Sequence, residues 1–328
     1  MRWFALPSEL RRAGVLSMNA RNALYIARRN PRRLYPRVDD KLLTKQLALD
    51  AGLAVPELYG VVSSYHDARG FERLLEGRED FVIKPACGAG GDGIVVVSGR
   101  LGDGYLKING TRMMREDIVY HLGNILSGMY SFGGRPDRAM IEYRVKPDAV
   151  FNTISHLGVP DVRVIVHRGF PVLAMLRLPT RNSGGKANLH QGAVGTGIDI
   201  ASGRTTHGVW HGQPVDRHPD SMEPLEGVAI SGWDRILELS AGGFELTGLG
   251  YLGVDIVIDR DRGPLILELN ARPGLAIQVA NRRGLRERLE IVDRDADTSL
   301  GASERAAYVR NAFAQPMPSA PDPGADQA

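Results

Sequence analysis

The stretch of this chain richest in chemistry runs Gly253-Val254-Asp255-Ile256-Val257-Ile258-Asp259, then Arg260 to Gly263, then Pro264-Leu265-Ile266-Leu267-Glu268-Leu269-Asn270. Two runs of β-branched and apolar residues around a short polar turn predict a β-hairpin. With a four-residue loop centred between Asp261 and Arg262, Asp255 falls directly opposite Glu268, and period-two alternation adds Asn270 to the face of Glu268. Opposed like charges, with Cβ atoms about 5 Å apart, destabilise a sheet unless something sits between them. A divalent cation would do so. Two carboxylates and an amide are hard oxygen donors that suit Mg²⁺ better than zinc. The competing reading is a register one residue different, which sends one acid to solvent.

A second constellation is Lys84 followed by Pro85-Ala86-Cys87-Gly88-Ala89-Gly90-Gly91-Asp92-Gly93. Gly88, Gly90, Gly91 and Gly93 let backbone N–H groups approach an anion closely, and a lysine at a strand end adds a point charge for phosphate. A strand, Ile94 to Val97, follows instead of a helix, so this is neither a phosphate loop of the lysine-after-glycine kind nor a dinucleotide fingerprint. A glycine flap over a nucleotide fits better; the plain alternative is a flexible hairpin loop. Lys41, in Asp39-Asp40-Lys41-Leu42-Leu43-Thr44-Lys45, reads by itself as a surface helix lysine. Arg177 and Asn188, read as projecting from neighbouring strands, are placed to clamp a transferring phosphoryl group, with a surface hairpin as the alternative. His207, His211 and His218 match no zinc spacing and read as loop polarity. Cys87 has no evident base beside it, and no serine elbow is present, which leaves covalent nucleophilic catalysis without support.

The elements that must position these residues are mixed. Asp39 or Asp40 caps a helix from Lys41 to Gly52, and Pro56 opens an extended segment, Leu58 to Val62. Strands are predicted at Phe81 to Lys84, Ala139 to Val145, Val162 to His167 and Val172 to Leu178, with helices over Arg115 to Leu126 and near Trp233 to Leu246. The chain of 328 residues, 43% hydrophobic and 24% charged, has the composition of a folded α+β protein and carries no apolar run long enough to span a bilayer. One cysteine excludes an internal disulfide and fits a reducing, cytoplasmic setting. The net charge is only +3, but residues 1–40 hold nine arginines against Glu9, Asp39 and Asp40. Such an arm suits RNA, acidic protein or a membrane surface; the favoured reading is a solvated helical face with no nucleic acid bound. Four regions are expected: 1–37 an Arg-rich helical extension, 38–145 a small subdomain with the flap, 146–300 a large subdomain with the metal site, and 301–328 a mostly disordered tail.

In this order, Lys84 and its glycine flap, the Glu142-Tyr143 strand, Arg177, Asn188, Asp255 and Glu268-Leu269-Asn270 resemble an ATP-grasp enzyme over roughly residues 38–290. Asp161-Val162-Arg163, Asn188 to Gly192 and Asn270-Ala271-Arg272-Pro273-Gly274-Leu275 are similar to the alpha-L-glutamate ligase-like, RimK-like proteins. The resemblance implies two α+β subdomains clasping ATP. Adenine would lie at Glu142, Tyr143, Arg144 and Val145, with Asp148 at the ribose and Lys41 and Lys84 on the phosphates. It further implies that Asp255, Glu268 and Asn270 carry two Mg²⁺ ions, with Mn²⁺ as an alternative, and that Arg177 and Asn188 face the γ-phosphate. The implied reaction joins a carboxylate to an amine (amino acid, peptide or protein) through an acyl phosphate. A kinase of the same fold and a catalytically silent nucleotide-binding regulator are the alternatives, and a homo-oligomer is left open. The related ligases carry an α/β domain ahead of this core, where here only about 40 residues stand, fewer than a domain needs.

Overall fold

The computed structural model describes residues 6–88 and 90–314; the first five residues of the expected extension, Ala89 of the glycine loop and residues 315–328 of the expected tail lie outside the described residues. Two antiparallel sheets dominate. The smaller has six strands, β1 (Leu58–Val62), β2 (Phe81–Pro85), β3 (Val95–Leu101), β4 (Gly104–Lys107), β5 (Arg112–Met113) and β6 (Ala139–Glu142), in the order β1-β6-β2-β3-β4-β5. Alternation buries Phe81, Ile83 and Val97, and the helix Arg115–Leu126 covers them with Ile118, Leu122 and Ile125, spaced by one helical turn.

The larger sheet has seven strands: β7 (Asp161–His167), β8 (Phe170–Leu178), β9 (Val194–Ile198), β10 (Thr205–Trp210), β11 (Gln213–Val215), β12 (Tyr251–Asp259) and β13 (Gly263–Asn270). Their order is β11-β10-β9-β8-β7-β12-β13. The helix Trp233–Thr247 lies against one face, where a Cβ on Gly243 would meet Leu252 and Val254. Because side chains alternate, Asp255 points to the other face. That face looks toward the smaller sheet.

The β12–β13 register pairs Asp255 with Glu268 and Gly253 with Asn270, as expected, but by a different route. The loop has three residues, since Asp259 pairs with Gly263 and its Oδ1 accepts the N–H groups of Asp261 and Arg262. Gly263 takes φ +72°, which only glycine adopts freely. A bulge between Asp255 and Ile256, with Leu267 as the extra residue, then restores the pairing.

The N-terminal segment is more than a solvated face. Leu16, Tyr25, Ile26 and Val38 join the core of the larger sheet, as does Ala48 of the helix Lys41–Asp50. Packing therefore places the start of the smaller body later than residue 38. Buried Asn30 accepts from the Tyr251 amide and donates to the carbonyls of Tyr251 and Ala271, which ties the segment to β12 and the loop after β13. The region from residue 301 also departs from the expected tail: Ala302–Ala312 is a helix that buries Arg305, Ala306 and Val309. Alanine favours helix, and an apolar stripe against the helix Trp233–Thr247 and β8 stabilises it. Among the described residues no helix is long and apolar enough to cross a membrane.

Candidate functional site

One face of the larger sheet gathers ionic side chains from four strands. Asp161 and Arg163 alternate on β7; Arg177 of β8 lies opposite Asp161, Asp255 of β12 opposite Arg163, and Glu268 of β13 opposite Asp255. Arg163 holds Asp255 with two hydrogen bonds, Nε to Oδ1 at 2.7 Å and Nη2 to Oδ2 at 2.5 Å. Arg177 holds Asp161 in the same way at 2.5 and 2.6 Å and reaches Asp255 Oδ2 at 2.8 Å. Asn270 donates to Asp255 Oδ2 at 3.3 Å. Burial by itself would raise both carboxyls. Arg163 and Arg177 together overcome it at Asp255 and hold it down at about 2, whereas at Asp161 burial and the neighbouring Asp255 charge outweigh Arg177 and Arg163, and the carboxyl rises to about 6. Asp255 and Glu268 therefore share a face with no cation needed between them, because each already has a protein cation.

The opposite wall comes from the helix Lys41–Asp50 and the smaller sheet. Asp40 caps that helix through the amides of Leu42 and Leu43, while the Lys41 amide donates to Ala86 O, fixing the helix start beside the end of β2. Lys41 Nζ lies 3.2 Å from Glu268 Oε1 and donates to Gly88 O at 2.6 Å, so one ammonium joins the acidic face to the glycine loop. One turn on, Lys45 lies 2.6 Å from Glu142 Oε2, and Lys84 lies 2.5 Å from Glu142 Oε1. All three are buried. Burial pulls Lys45 down to about 8 against the pull of Glu142, and the two lysines outweigh burial to lower Glu142. Lys41, Lys45 and Lys84 line a cleft closed on the other side by Leu267, Glu268 and Leu269. Five cations (Lys41, Lys45, Lys84, Arg163, Arg177) thus face four acids (Glu142, Asp161, Asp255, Glu268).

The glycine loop is held from below by Asp137, whose carboxylate accepts from the Cys87 amide and from Ser131 Oγ. Gly90, Gly91 and Gly93 all take positive φ. At its tip Asp92 pairs with Lys186, in the loop between β8 and β9, at 3.1 Å. That second loop carries Asn188, whose Oδ1 accepts the His190 amide at the start of a short 3₁₀ turn. The expectation that Asn188 projects from a strand beside Arg177 is corrected: local capping turns it into a loop residue, and among the described residues it makes no hydrogen bond to Arg177. His218 is buried, with Nε2 against Pro179 O at 3.1 Å, and anchors the start of this loop.

A family model described as sugar-transfer associated ATP-grasp matches residues 20–294. The chain belongs to that family. Its architecture of two mainly antiparallel sheets with helices is the ATP-grasp fold. Among solved structures, it is similar to the ATP-grasp ligase PsnB complexed with a minimal precursor, at 16% identity over 80% of this chain and 62% of that one, TM-score 0.42. It is also similar to the D-cycloserine synthetase DcsG, at 14% identity over 85% and 73%, TM-score 0.43. D-alanine–D-alanine ligase from Bacillus anthracis shows 12% identity over 85% and 70%, TM-score 0.45. The match spans 62% of the length of the first of these ligases. Likenesses at this level carry no functional inference. No curated protein matches.

Within this ATP-grasp chain, the residues expected at the adenine serve the frame between the sheets. Glu142 is enclosed by its two lysines, the Tyr143 amide donates to Glu57 O, and Val145 packs with Val257 and Leu265. Asp148 caps Val150. Lys45, Asp137, Asp259 and Lys186 were not picked out by sequence. Only Lys45 left a trace there, one helical turn from Lys41 on the same face.

The lone cysteine gives a direct check on the loop. Burial, then Asp137 and Asp40, push the Cys87 thiol up to about 11. At pH 8 its alkylation is expected to be about a hundredfold slower than that of a free thiol, because the thiolate is the reacting form. Mass spectrometry of a timed reaction measures this, and a free-thiol rate would show that the loop does not hold Cys87 buried beside Asp137.

Proposed function

We propose that this protein is an ATP-dependent ligase that joins a carboxylate to an amine through an acyl phosphate. The observation that carries the reading is Lys41, which reaches both Glu268 on the acidic face and Gly88 of the glycine loop, with Lys84 lining the same cleft. A polyanion entering there would take over cations now held by protein acids. Lys41 and Lys84 would bind its phosphates, the glycine loop would cover them, and Arg177 would offset charge that builds on the γ-phosphoryl group.

Asp255, Glu268 and Asn270 offer hard oxygens on one face, the donor chemistry that fits Mg²⁺, and an ion bound there would take the place of contacts the two acids now make with Arg163, Arg177 and Lys41. When bound, the metal would neutralise charge on the phosphates; two ions, or Mn²⁺ in their place, are part of the proposal. In the first step a substrate carboxylate oxygen bonds to the γ-phosphorus and ADP leaves. In the second an amine nitrogen bonds to the acyl carbon, phosphate leaves and the amine loses a proton. Enclosure between the two loops keeps water from the acyl phosphate. The likeness to glutamate ligase-like proteins supports an amino acid as one substrate. The family's description, associated with sugar transfer, supports adding sugar acids and amino sugars to the candidates. A cytoplasmic setting would supply the ATP.

The test incubates the full chain with ATP, Mg²⁺ and pools of these acids and amines, with hydroxylamine to trap acyl phosphate. Acid-dependent hydroxamate together with ADP is the expected result. A stable phosphorylated product without hydroxamate would mean a kinase, and nucleotide binding without ADP release a silent regulator.

A further inference from the structure

Residues 10–38 contain eight arginines and no aspartate or glutamate. Arg21 alone is buried, donating to Pro273 O at 2.7 Å. Six of the other seven are exposed and Arg37 is half-buried. Arg29 pairs with Asp293 and Arg37 donates to Thr247 O, so the fold accounts for those two. Arg11, Arg12, Arg28, Arg32 and Arg33 have neither an ion pair nor a side-chain hydrogen bond among the described residues. A like-charged cluster without counter-charges repels itself, and the fold gains nothing from it.

Large apolar side chains stand exposed among these arginines: Leu6, Leu10, Met18 and Leu24 at 49, 43, 64 and 38%. The helical run over residues 18–29 buries Arg21, Tyr25 and Ile26 against the core. Leu24 and Arg28, about one turn apart, are therefore left on its outer side. Arginine and aliphatic groups interleaved on one exposed stretch match an interface with charge above and hydrocarbon below.

We propose that this stretch docks the protein on an anionic phospholipid surface, with the arginines on the headgroups and Leu10, Met18 and Leu24 entering the acyl boundary. Nucleic acid would use the arginines but has no use for the aliphatic groups, and among the described residues no aromatic ring stands exposed beside them for base stacking. The docking is peripheral, since no described helix spans a bilayer. It does not depend on the reaction assigned to the cleft.

The experiment sediments the full chain with vesicles of phosphatidylglycerol and phosphatidylcholine in equal parts, and with phosphatidylcholine alone. Binding to the anionic vesicles alone is expected, weakening at about 1 M salt, where charges reach only about 3 Å. Arg28→Glu with Arg32→Glu and Arg33→Glu should lower partitioning at least about a hundredfold, at roughly fivefold per arginine near an anionic surface. Met18→Ser with Leu24→Ser should lower it about tenfold by removing apolar insertion. Both variants should keep the wild-type thermal unfolding profile and ATP affinity. Equal binding to neutral vesicles, or wild-type binding by the charge-reversed variant, would overturn the proposal. So would tight binding of polyuridine RNA that the Met18→Ser, Leu24→Ser protein retains in full while vesicles are ignored.

Discussion

Arg177→Met is expected to remove about 3–5 kcal/mol of stability and to lower ADP release at least about a thousandfold. Among the described residues Arg177 is the cation hydrogen-bonded to Asp161, and it is the second on Asp255; both carboxylates are almost completely buried. Truncating it leaves charge with neither water nor partner, which costs far more than the ion pair contributes. Urea unfolding and coupled ADP measurement separate the two effects. Adding Asp161→Asn should recover much of the stability and none of the turnover; turnover near wild type in either protein would remove Arg177 from the phosphoryl site. pH supplies a second check. The folded carboxyl of Asp161, raised to about 6, binds a proton more tightly than the unfolded one near 3.8. Its stabilising contribution is thus fully present below about pH 4 and lost as pH rises through about 6.

Glu268→Ala is expected to separate function from folding. Its side chain is 34% exposed and holds one ion pair, to Lys41 at 3.2 Å, so its loss should change stability by no more than about 1 kcal/mol. Turnover should fall about a hundred- to a thousandfold, the usual range for a lost electrostatic partner at a reacting group. A Mg²⁺ titration of ADP release should also shift to higher concentration. Wild-type turnover and an unmoved titration would sink the metal assignment for Glu268 and Asn270 together.

The acidic hairpin was legible because strand alternation is rigid: once Asp255 and Glu268 are opposed, Asn270 follows. Even so, the pairing arose from two departures that cancel, a loop one residue shorter and a bulge at Leu267. Neither is visible without the Asp259 side chain that shapes the turn. Lys84 stood out because it ends a strand before glycines. Lys45 did not, because Glu142, which gives it meaning, lies 97 positions further along the chain. The same distance problem hid the role of Asp161 and Arg163, whose motif was recognised but whose partners Arg177 and Asp255 come from strands that only folding brings together. The N-terminal arginines read as uniformly solvated because composition cannot single out Arg21, the one the fold buries among the described residues there.

Asp259 does more than shape a turn. Its carboxylate also accepts the Lys146 amide, Arg260 donates back to Lys146 O, and Asp148 donates to Ile258 O. The strip joining the two lobes is thereby tied to the end of β12, which resists opening about that spine. Admission and release are left to the two rims that meet at Asp92 and Lys186. The tempo of exchange then depends on how often the weak surface contact at that rim lets go together with the Lys41 ammonium that holds the loop at Gly88.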